Sequence, residues 1–600
     1  MKNKENIKIK ILSIIVIIIV LLCPIVFGSS GYFMHILFLI AFKAYMATSW
    51  NILSGYSGQI SLGHAMYLGI GAYCGTILFT RLNINPWMAM IASGTMVSAL
   101  SVIIGLPLFR LRNAFFAIST NALIKVASLL AIYFRGLTGG SMGTSIPIHK
   151  MGFAYQTFED KVPYVYIAYG MLALVLCVAW RVYKSKLGYQ LFALRDDHDA
   201  AASLGVNTLA AKLKIMAIST FMVAMGGSFY AHYILYVDPI GMFDPQLSMD
   251  MTIMANLGGI GTMFGPVLGA ILLVPIDALL RSVFGGGATS GLDIVIYGCI
   301  LIVIVWFCPG GLWPLFNKLL YKLNNKKEEI QTFAYNALRT KAELEHAKHI
   351  GHDLGEKSGK PILEIRNVCM QFGGLKAVND VSFDVMPGQI FGIIGPNGAG
   401  KTTLFNAITG YVKADSGTIK YSKKVLSKNI RPHQLAGMGL TRTFQSVRPF
   451  TRMTIADNVM IGAVKNQPNI EKAKEITNEI LKIVGLEVYA NRLPDGLTVA
   501  EQKRLDMART LAMNPKILML DEPMAGLTEN EVNDLIEIVR GIAKRGITII
   551  IIEHVMHAVM KLCERIIVLD HGVKISEGTP KEVTSNEKVI EVYLGEKYNG

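Results

Sequence analysis

Apolar residues fill the first half of the chain in stretches long enough to cross a bilayer. They run from Ile11 to Phe27 and near residues 33–53, 61–80, 87–109, 114–134, 163–183, 211–235, 262–281 and 292–308. The pattern changes after residue 320. Residues 321–358 are polar, rich in helix formers, and end in Gly and Ser, as a tether would. From Ile362 onward short apolar runs alternate with longer helical patterns, the mark of an α/β domain. The expected fold class is therefore multi-domain, a polytopic α-helical membrane domain followed by an α/β domain. The boundaries fall at 1–320 for the membrane domain, 321–359 for a cytosolic linker and 360–600 for the second domain.

Lys2, Lys4, Lys8 and Lys10 precede the first apolar run, which is long for a signal peptide and has no small-residue cleavage site after it. An uncleaved first span is expected. With a cytosolic amino terminus, Arg110, Arg112 and the basic 184–210 loop all fall inside, in keeping with the positive-inside rule. Everything after Pro309 must also lie inside, which requires one more crossing than the obvious runs supply. The glycine-rich Met251–Gly261 segment is the candidate, as a broken helix lining a cavity. The total is about ten spans. Lys43, Lys125 and Asp277 are candidate pathway residues, or else sit near helix ends or face a partner.

Composition sharpens the division. The chain is 52% hydrophobic and 17% charged. Of its Asp, Glu, Lys and Arg residues, 31 lie in residues 1–320 and 70 in 321–600. The second part has the charge density of a soluble domain. Of the net charge of +15, +9 lies in residues 1–320, much of it in clusters at the ends of apolar runs, so a membrane accounts for that excess and nucleic acid is not expected as a partner. Seven cysteines include no CxxC pair, so neither a disulfide framework nor a zinc site is indicated.

The clearest chemistry is Gly395-Pro396-Asn397-Gly398-Ala399-Gly400-Lys401-Thr402-Thr403, a GxxxxGK[ST] loop between strand-like Ile390–Ile394 and helical Leu404–Ile408. Such a loop wraps phosphates with backbone N–H groups at a helix amino terminus. Lys401 would reach the β- and γ-phosphates of ATP, and Thr402 would ligate Mg²⁺. Downstream, the apolar strand Ile517–Leu520 ends in Asp521 and Glu522. Asp521 suits the metal. Glu522 suits the general base that polarises the attacking water.

These residues, with four further elements, resemble the ATP-binding-cassette (ABC) ATPases. Phe372 in QFGG sits where that family stacks an aromatic on adenine. Gln445 in TRTFQ matches the loop glutamine that senses the γ-phosphate and bears on the metal and the membrane domain. Leu497-Thr498-Val499-Ala500-Glu501 matches the signature segment, and His554 in IIEHVMHAV matches the switch histidine. The resemblance implies that Glu522, His554 and Gln445 are catalytic. It also implies that Thr402, Gln445 and Asp521 serve the metal, and that Phe372, the 395–403 loop and Thr498 bind nucleotide. Two departures stand out. The usual LSGGQ reads LTVAE, and Thr528 replaces the aspartate that ends the loop after Glu522. A carboxylate at Glu501 would repel a γ-phosphate unless Lys503 or Arg504 screens it.

In the membrane half, Ala193-Leu-Arg-Asp-Asp-His-Asp-Ala-Ala-Ala-Ser-Leu-Gly205 resembles the coupling helix by which importer permeases dock on their ATPases. Together with LTGGSMGTSIP, SGQISLGHAMYLGIGAY and LGGIGTMFGPVLGA it resembles the permeases of branched-chain amino-acid (Liv-type) importers. The second half, in FGGLKAVNDVSF and ISEGTPKEV, resembles their ATPases. What this implies is a fused permease and ATPase in the cytoplasmic membrane, with its ATPase cytosolic, importing branched-chain amino acids at the expense of ATP. The family sandwiches each ATP between the P-loop of one ATPase and the signature of another. A second permease and ATPase are thus expected as partners, as a second copy or a paralogous pair, along with an extracytoplasmic solute-binding protein and the lipid bilayer. Asp196, Asp197 and Asp199 should dock near Gln445. Two alternatives stay open: an importer of urea or short amides, and a nucleotide-binding regulatory subunit with little turnover.

Overall fold

The computed structural model describes residues 18–111, 114–148, 151–284, 292–308, 310–316, 350–352, 359–467 and 469–594. The basic start at Lys2 to Lys10, Arg112 and nearly all of the linker lie outside the described residues. The chain divides into two compact units. One comprises Met1–Lys184 and Leu209–Glu329, the other Ser185–Thr208 and Ile330–Gly600. Residues 185–208, which interrupt the apolar half of the sequence, thus belong with the α/β unit.

Among the described residues of the first unit, six helices are long and apolar enough to cross a membrane: Gly31–Ser57, Pro86–Leu108, Ala114–Tyr133, Val162–Lys184, Thr208–Ile234 and Gly265–Phe284. The helices His64–Leu82, Pro245–Gly259 and Leu292–Phe307 are shorter or more polar. The extra crossing expected at 251–261 corresponds to the helix Pro245–Gly259, whose 15 residues rise about 22 Å and stop short of a full span. It breaks at Gly259, where φ is +124°. Gly31–Ser57 forms the centre of the unit, every residue from Ala44 to Ser57 being buried. Without a hydrophobic drive between helices in lipid, close packing depends on small residues. His64–Leu82 and Thr208–Ile234 meet in this way: a Cβ on Gly71 would strike the backbone of Ala224, and one on Gly227 the carbonyl of Leu68.

The second unit carries two sheets. The strands Leu363–Phe372, Leu375–Val385, Ser416–Tyr421 and Lys424–Val425 form an antiparallel sheet. The other sheet runs, in spatial order, Val573–Gly578, Arg565–Asp570, Ile390–Ile394, Thr548–Ile552, Ile517–Asp521 and Leu440–Arg442. All neighbours in it are parallel except the outermost pair. Its central strands are near-continuous Ile, Leu and Val, and every residue of Ile390–Ile394, Ile517–Asp521 and Thr548–Ile552 is buried, as expected of a sheet covered on both faces. Thr548–Ile552 lies between the P-loop strand and the acidic strand, with Ile552 opposite both Ile393 and Asp521. Three carboxyl-terminal strand ends therefore open on one place, where ligands bind in open parallel sheets.

Candidate active site

The strand Ile390–Ile394 delivers the glycine loop, and the helix Lys401–Ile408 starts from Gly400. Gly398 and Gly400 have φ of +84° and +92°, a conformation only glycine adopts without strain. It turns the loop back over the helix start. Lys401 is buried, and its ammonium donates to the carbonyls of Gly395 at 2.7 Å and Pro396 at 2.8 Å. Burial lowers its pKa while Glu522 and Asp521 pull the other way.

Asp521 is buried at the end of its strand. Its Oδ2 accepts from Arg442 Nη2 at 3.2 Å, while its Oδ1 is buried with no hydrogen-bond partner. Burial pushes this carboxyl up to about 6 against the pull of Arg442. Thr402, Gln445 and Asp521 line one cavity of about 220 Å³. A buried carboxylate oxygen without a donor, on a residue that lines a cavity together with a hydroxyl, fits a hard divalent cation.

Glu522 has φ of +48°. Its Oε1 lies 2.7 Å from His554 Nε2, and its Oε2 accepts from Gln445 Nε2 at 2.8 Å. Burial alone would raise its pKa, but these two hydrogen bonds hold it below the usual carboxylate range. Lys503 Nζ donates to the carbonyls of Glu522 and Gln445 at 2.9 and 3.1 Å, fixing the backbone behind both side chains. Glu553 was not singled out from sequence. Its buried carboxylate accepts the N–H groups of Met524, His554 and Val555 at 2.7, 3.0 and 3.2 Å, tying the loop after Glu522 to the switch histidine. The signal was present in Ile-Ile-Ile-Ile-Glu, an acid ending a buried apolar strand beside a P-loop strand.

The fold thus gathers Lys401, Thr402, Gln445, Asp521, Glu522 and His554. Thr498 and Phe372 stand apart. Thr498 caps the helix Val499–Leu511 in a reciprocal box. Its backbone N–H donates to Glu501 Oε2 at 2.8 Å, and its hydroxyl accepts from Glu501 N at 3.3 Å. Phe372 ends its strand half exposed. Among the described residues no hydrogen bond joins Thr498 to the cluster, and no ring contact joins Phe372 to it. Lys503 and Arg504, the residues that could screen Glu501, both hydrogen-bond to carbonyl groups. Lys503 turns to the catalytic carbonyls, Arg504 donates to the carbonyl of Val484 at 3.3 Å, and Glu501 is occupied by the cap.

The acidic segment packs on the same unit, slightly beyond Gln445. Asp197 Oδ2 lies 3.1 Å from Arg448 Nη1, and Asp196 Oδ2 accepts from the N–H of Arg452 at 3.1 Å. Beneath them Leu194, Ala200, Ala201, Leu204 and Val206 form an apolar cluster with Phe450, Met453 and Met513. Asp199 contributes its carbonyl, which accepts from Tyr411 Oη at 2.8 Å.

A P-loop, a buried carboxylate at the end of a nearby strand, a restrained glutamate next to it and a histidine bonded to that glutamate are the arrangement of an ATP-binding-cassette ATPase, here fused behind a multi-span permease. Residues 378–525 match the ABC transporter family and residues 573–599 the branched-chain amino acid ATP-binding cassette transporter family. Residues 32–305 match the permease component of the branched-chain amino acid transport system. The chain is 39% identical over 254 residues to the high-affinity branched-chain amino acid transport ATP-binding protein LivG of Escherichia coli K12, covering 40% of this chain and 99% of that protein. It is 36% identical over 253 residues to BraF of Pseudomonas aeruginosa, with the same coverage. A solved nucleotide-free ATP-binding cassette from an ABC transporter is 34% identical over 40% of this chain and 100% of its own, with a TM-score of 0.37. The chain belongs to the branched-chain amino acid ABC transporter family, as a multi-pass membrane protein that joins permease and ATPase in one polypeptide.

Proposed function

We propose that this chain is half of an importer that carries branched-chain amino acids into the cell as it hydrolyses ATP. The observation that carries the reading is the restraint of Glu522 between His554 and Gln445, beside a complete P-loop. Hydrogen bonds to both carboxylate oxygens keep Glu522 ionised and aimed, as a general base must be. Water attacking the γ-phosphorus passes a proton to Glu522 as the bond to the β-phosphate oxygen breaks and ADP leaves, and His554 holds that carboxylate in line. Lys401 and the glycine-loop N–H groups neutralise charge building on the phosphate oxygens. Thr402 and Asp521 would hold Mg²⁺, with the side-chain carbonyl of Gln445 left to join them; the ion would supply charge neutralisation at the β- and γ-oxygens.

Thr498 sits apart from this cluster, which supports a site completed by the signature of a second ATPase. The partners are then a second permease and ATPase, as a copy or a paralogous pair, and a solute-binding protein that delivers the amino acid. The segment 185–208, seated on Arg448 and Arg452, carries the motion of the ATPase to the spans. In cells lacking their own systems and supplied with this chain and its partners, labelled leucine should accumulate. Isoleucine and valine should compete, and Glu522→Gln should abolish uptake while ATP still binds. Transport that ignores all three amino acids and is blocked by urea would overturn the reading.

A further inference from the structure

The permease unit contains a charged pair in the middle of its most buried helix. Lys43 is the thirteenth of 27 residues in Gly31–Ser57, and its ammonium lies 2.9 Å from Asp250 Oδ2 on the helix Pro245–Gly259. The other carboxylate oxygen accepts from Gln246 Nε2 at 3.0 Å. Charges at this depth are costly and ordinarily mark a substrate or ion path. The two other candidates from the sequence behave differently. Asp277 pairs with Arg281 one turn along its own helix, and Lys125 is exposed on its helix surface.

Around the Lys43–Asp250 pair lies a cavity of about 40 Å³, walled by Leu39, Met46, Leu68, Leu247, Met251 and Met254. Phe42 and Tyr230, stacked with ring centroids 4.8 Å apart, close one side. One cation, one anion and an otherwise apolar wall make the chemical complement of an aliphatic α-amino acid. We infer that Lys43 and Asp250 form the recognition site for the zwitterion within the permease, Lys43 taking the α-carboxylate and Asp250 the α-ammonium while the branched side chain meets the Leu and Met wall. This rests on the amino-acid reading of the function and deepens it.

The pair as it stands is the closed form, because the cavity beside it is too small for an amino acid until the two charges part. Parting them would leave Lys43 without its carboxylate and Asp250 with only the amide of Gln246, a costly arrangement for two charges that are mostly out of solvent. A zwitterion removes that penalty by giving each a new partner of opposite sign. Urea or a neutral amide supplies only dipoles, so both charges would be left undercompensated. The site therefore selects amino acids against amides, and it holds itself shut between substrates.

The test is uptake of labelled leucine by cells carrying the chain with its partner subunits and solute-binding protein. Lys43→Gln and Asp250→Asn should each lower uptake at least about 10-fold, as when a site loses the group that pairs with a substrate charge. The double variant Lys43→Met/Asp250→Leu separates recognition from structure, because replacing a half-buried pair within the permease unit by apolar residues of similar volume leaves no charge unpaired. It should assemble and bind ATP like the wild type yet lose uptake at least about 10-fold. Uptake near the wild-type rate in that double variant would overturn the site while leaving the importer reading standing. A wild-type system that carries urea and no amino acid would overturn both.

Discussion

Arg442 Nη2 lies 3.2 Å from Asp521 Oδ2, and both side chains are buried. The guanidinium is also within 5.0–5.2 Å of the ring centres of Phe405, Tyr411 and Phe444, a cage that favours a desolvated cation. It donates as well to Asn406 Oδ1 on the P-loop helix and to the carbonyl of Thr443. Arg442 thus holds one oxygen of Asp521 and leaves the other without a hydrogen-bond partner. The same cage reaches the docking segment, because Tyr411 donates to the carbonyl of Asp199.

Removing one member of a buried pair costs about 3–5 kcal/mol, since the other charge is left without a partner. Arg442→Ala should therefore lower the thermal stability of the ATPase unit and its affinity for Mg-ATP together. Arg442→Lys keeps the charge but loses the planar fork and most of the ring contact, and should recover only part of each. Calorimetry and nucleotide titration on the purified chain check this; an unchanged melting temperature for Arg442→Ala would show that the pair carries no such energy.

Asp521 and Glu522 respond to pH in opposite senses. Burial raises the Asp521 pKa to about 6, whereas the hydrogen bonds from Gln445 and His554 keep that of Glu522 below its usual value. A carboxylic acid with a raised folded-state pKa favours the fold when protonated. Its contribution to stability is full below about pH 4 and is lost as pH rises through about 6. Magnesium needs the ionised form, so metal-dependent nucleotide affinity should weaken as pH falls below 6, by up to about tenfold per unit. The base Glu522 stays ionised throughout that window. Titration of Mg-ATP binding from pH 5 to 8 checks it, and Asp521→Asn should bind weakly with no such slope.

The docking of the 185–208 segment depends more on packing than on charge. The Asp197–Arg448 pair is partly exposed, and Asp197 Oδ1 also caps the helix His198–Ser203 by accepting from the N–H groups of Asp199 and Ala200 at 2.8 Å. Asp197→Asn, which keeps the cap and loses only the charge, should therefore cost under about 1 kcal/mol and reduce leucine uptake less than about 3-fold. Asp199 docks through its carbonyl, so its side chain should be replaceable at similarly small cost. Gly205 differs. Its φ is +76°, and an added Cβ would lie 3.0 Å from the methyl carbon of Met513. Gly205→Val should abolish uptake while nucleotide binding persists. Parallel loss of nucleotide binding would mean a folding defect instead of uncoupling.

The sequence made these elements legible to different depths. The glycine loop and the Asp521–Glu522 strand end were plain, because phosphate and metal chemistry require particular residues at fixed local spacing. The partners that tune them were not. Arg442, Glu553 and Lys503 lie 79, 29 and 19 residues from the groups they hold at the acidic strand end, and only the strand order brings them together. The Lys43–Asp250 pair spans 207 residues, and Asp250 drew no notice from sequence because it sits near a helix start among Pro, Gln and Ser. The count of about ten spans rested on run length for nine of them and on the parity of crossings for the segment near 251–261. Helices interrupted by glycine, such as Pro245–Gly259, fall below that measure.

The altered signature supplies the last prediction. Glu501 has a local reason to be there: with Thr498 it completes the capping box at the start of Val499–Leu511, satisfying two helix N–H groups that would otherwise lack partners. Its carboxylate is thereby drawn back onto the cap, which weakens the expected repulsion of a γ-phosphate. Glutamine serves a capping box equally well, so Glu501→Gln should preserve stability and leave ATPase activity unchanged or raised. Thr498→Ala removes both the cap, worth about 0.5–2 kcal/mol, and the hydroxyl proposed to meet the opposite nucleotide. Turnover should fall about 10²-fold, the scale of losing one transition-state donor. Thr498→Ser, which keeps cap and hydroxyl, should restore most of the rate. ATPase measurements on the assembled complex decide it. If Thr498→Ala hydrolyses ATP at the wild-type rate, turnover occurs at a site using the partner's signature, and this signature serves regulation.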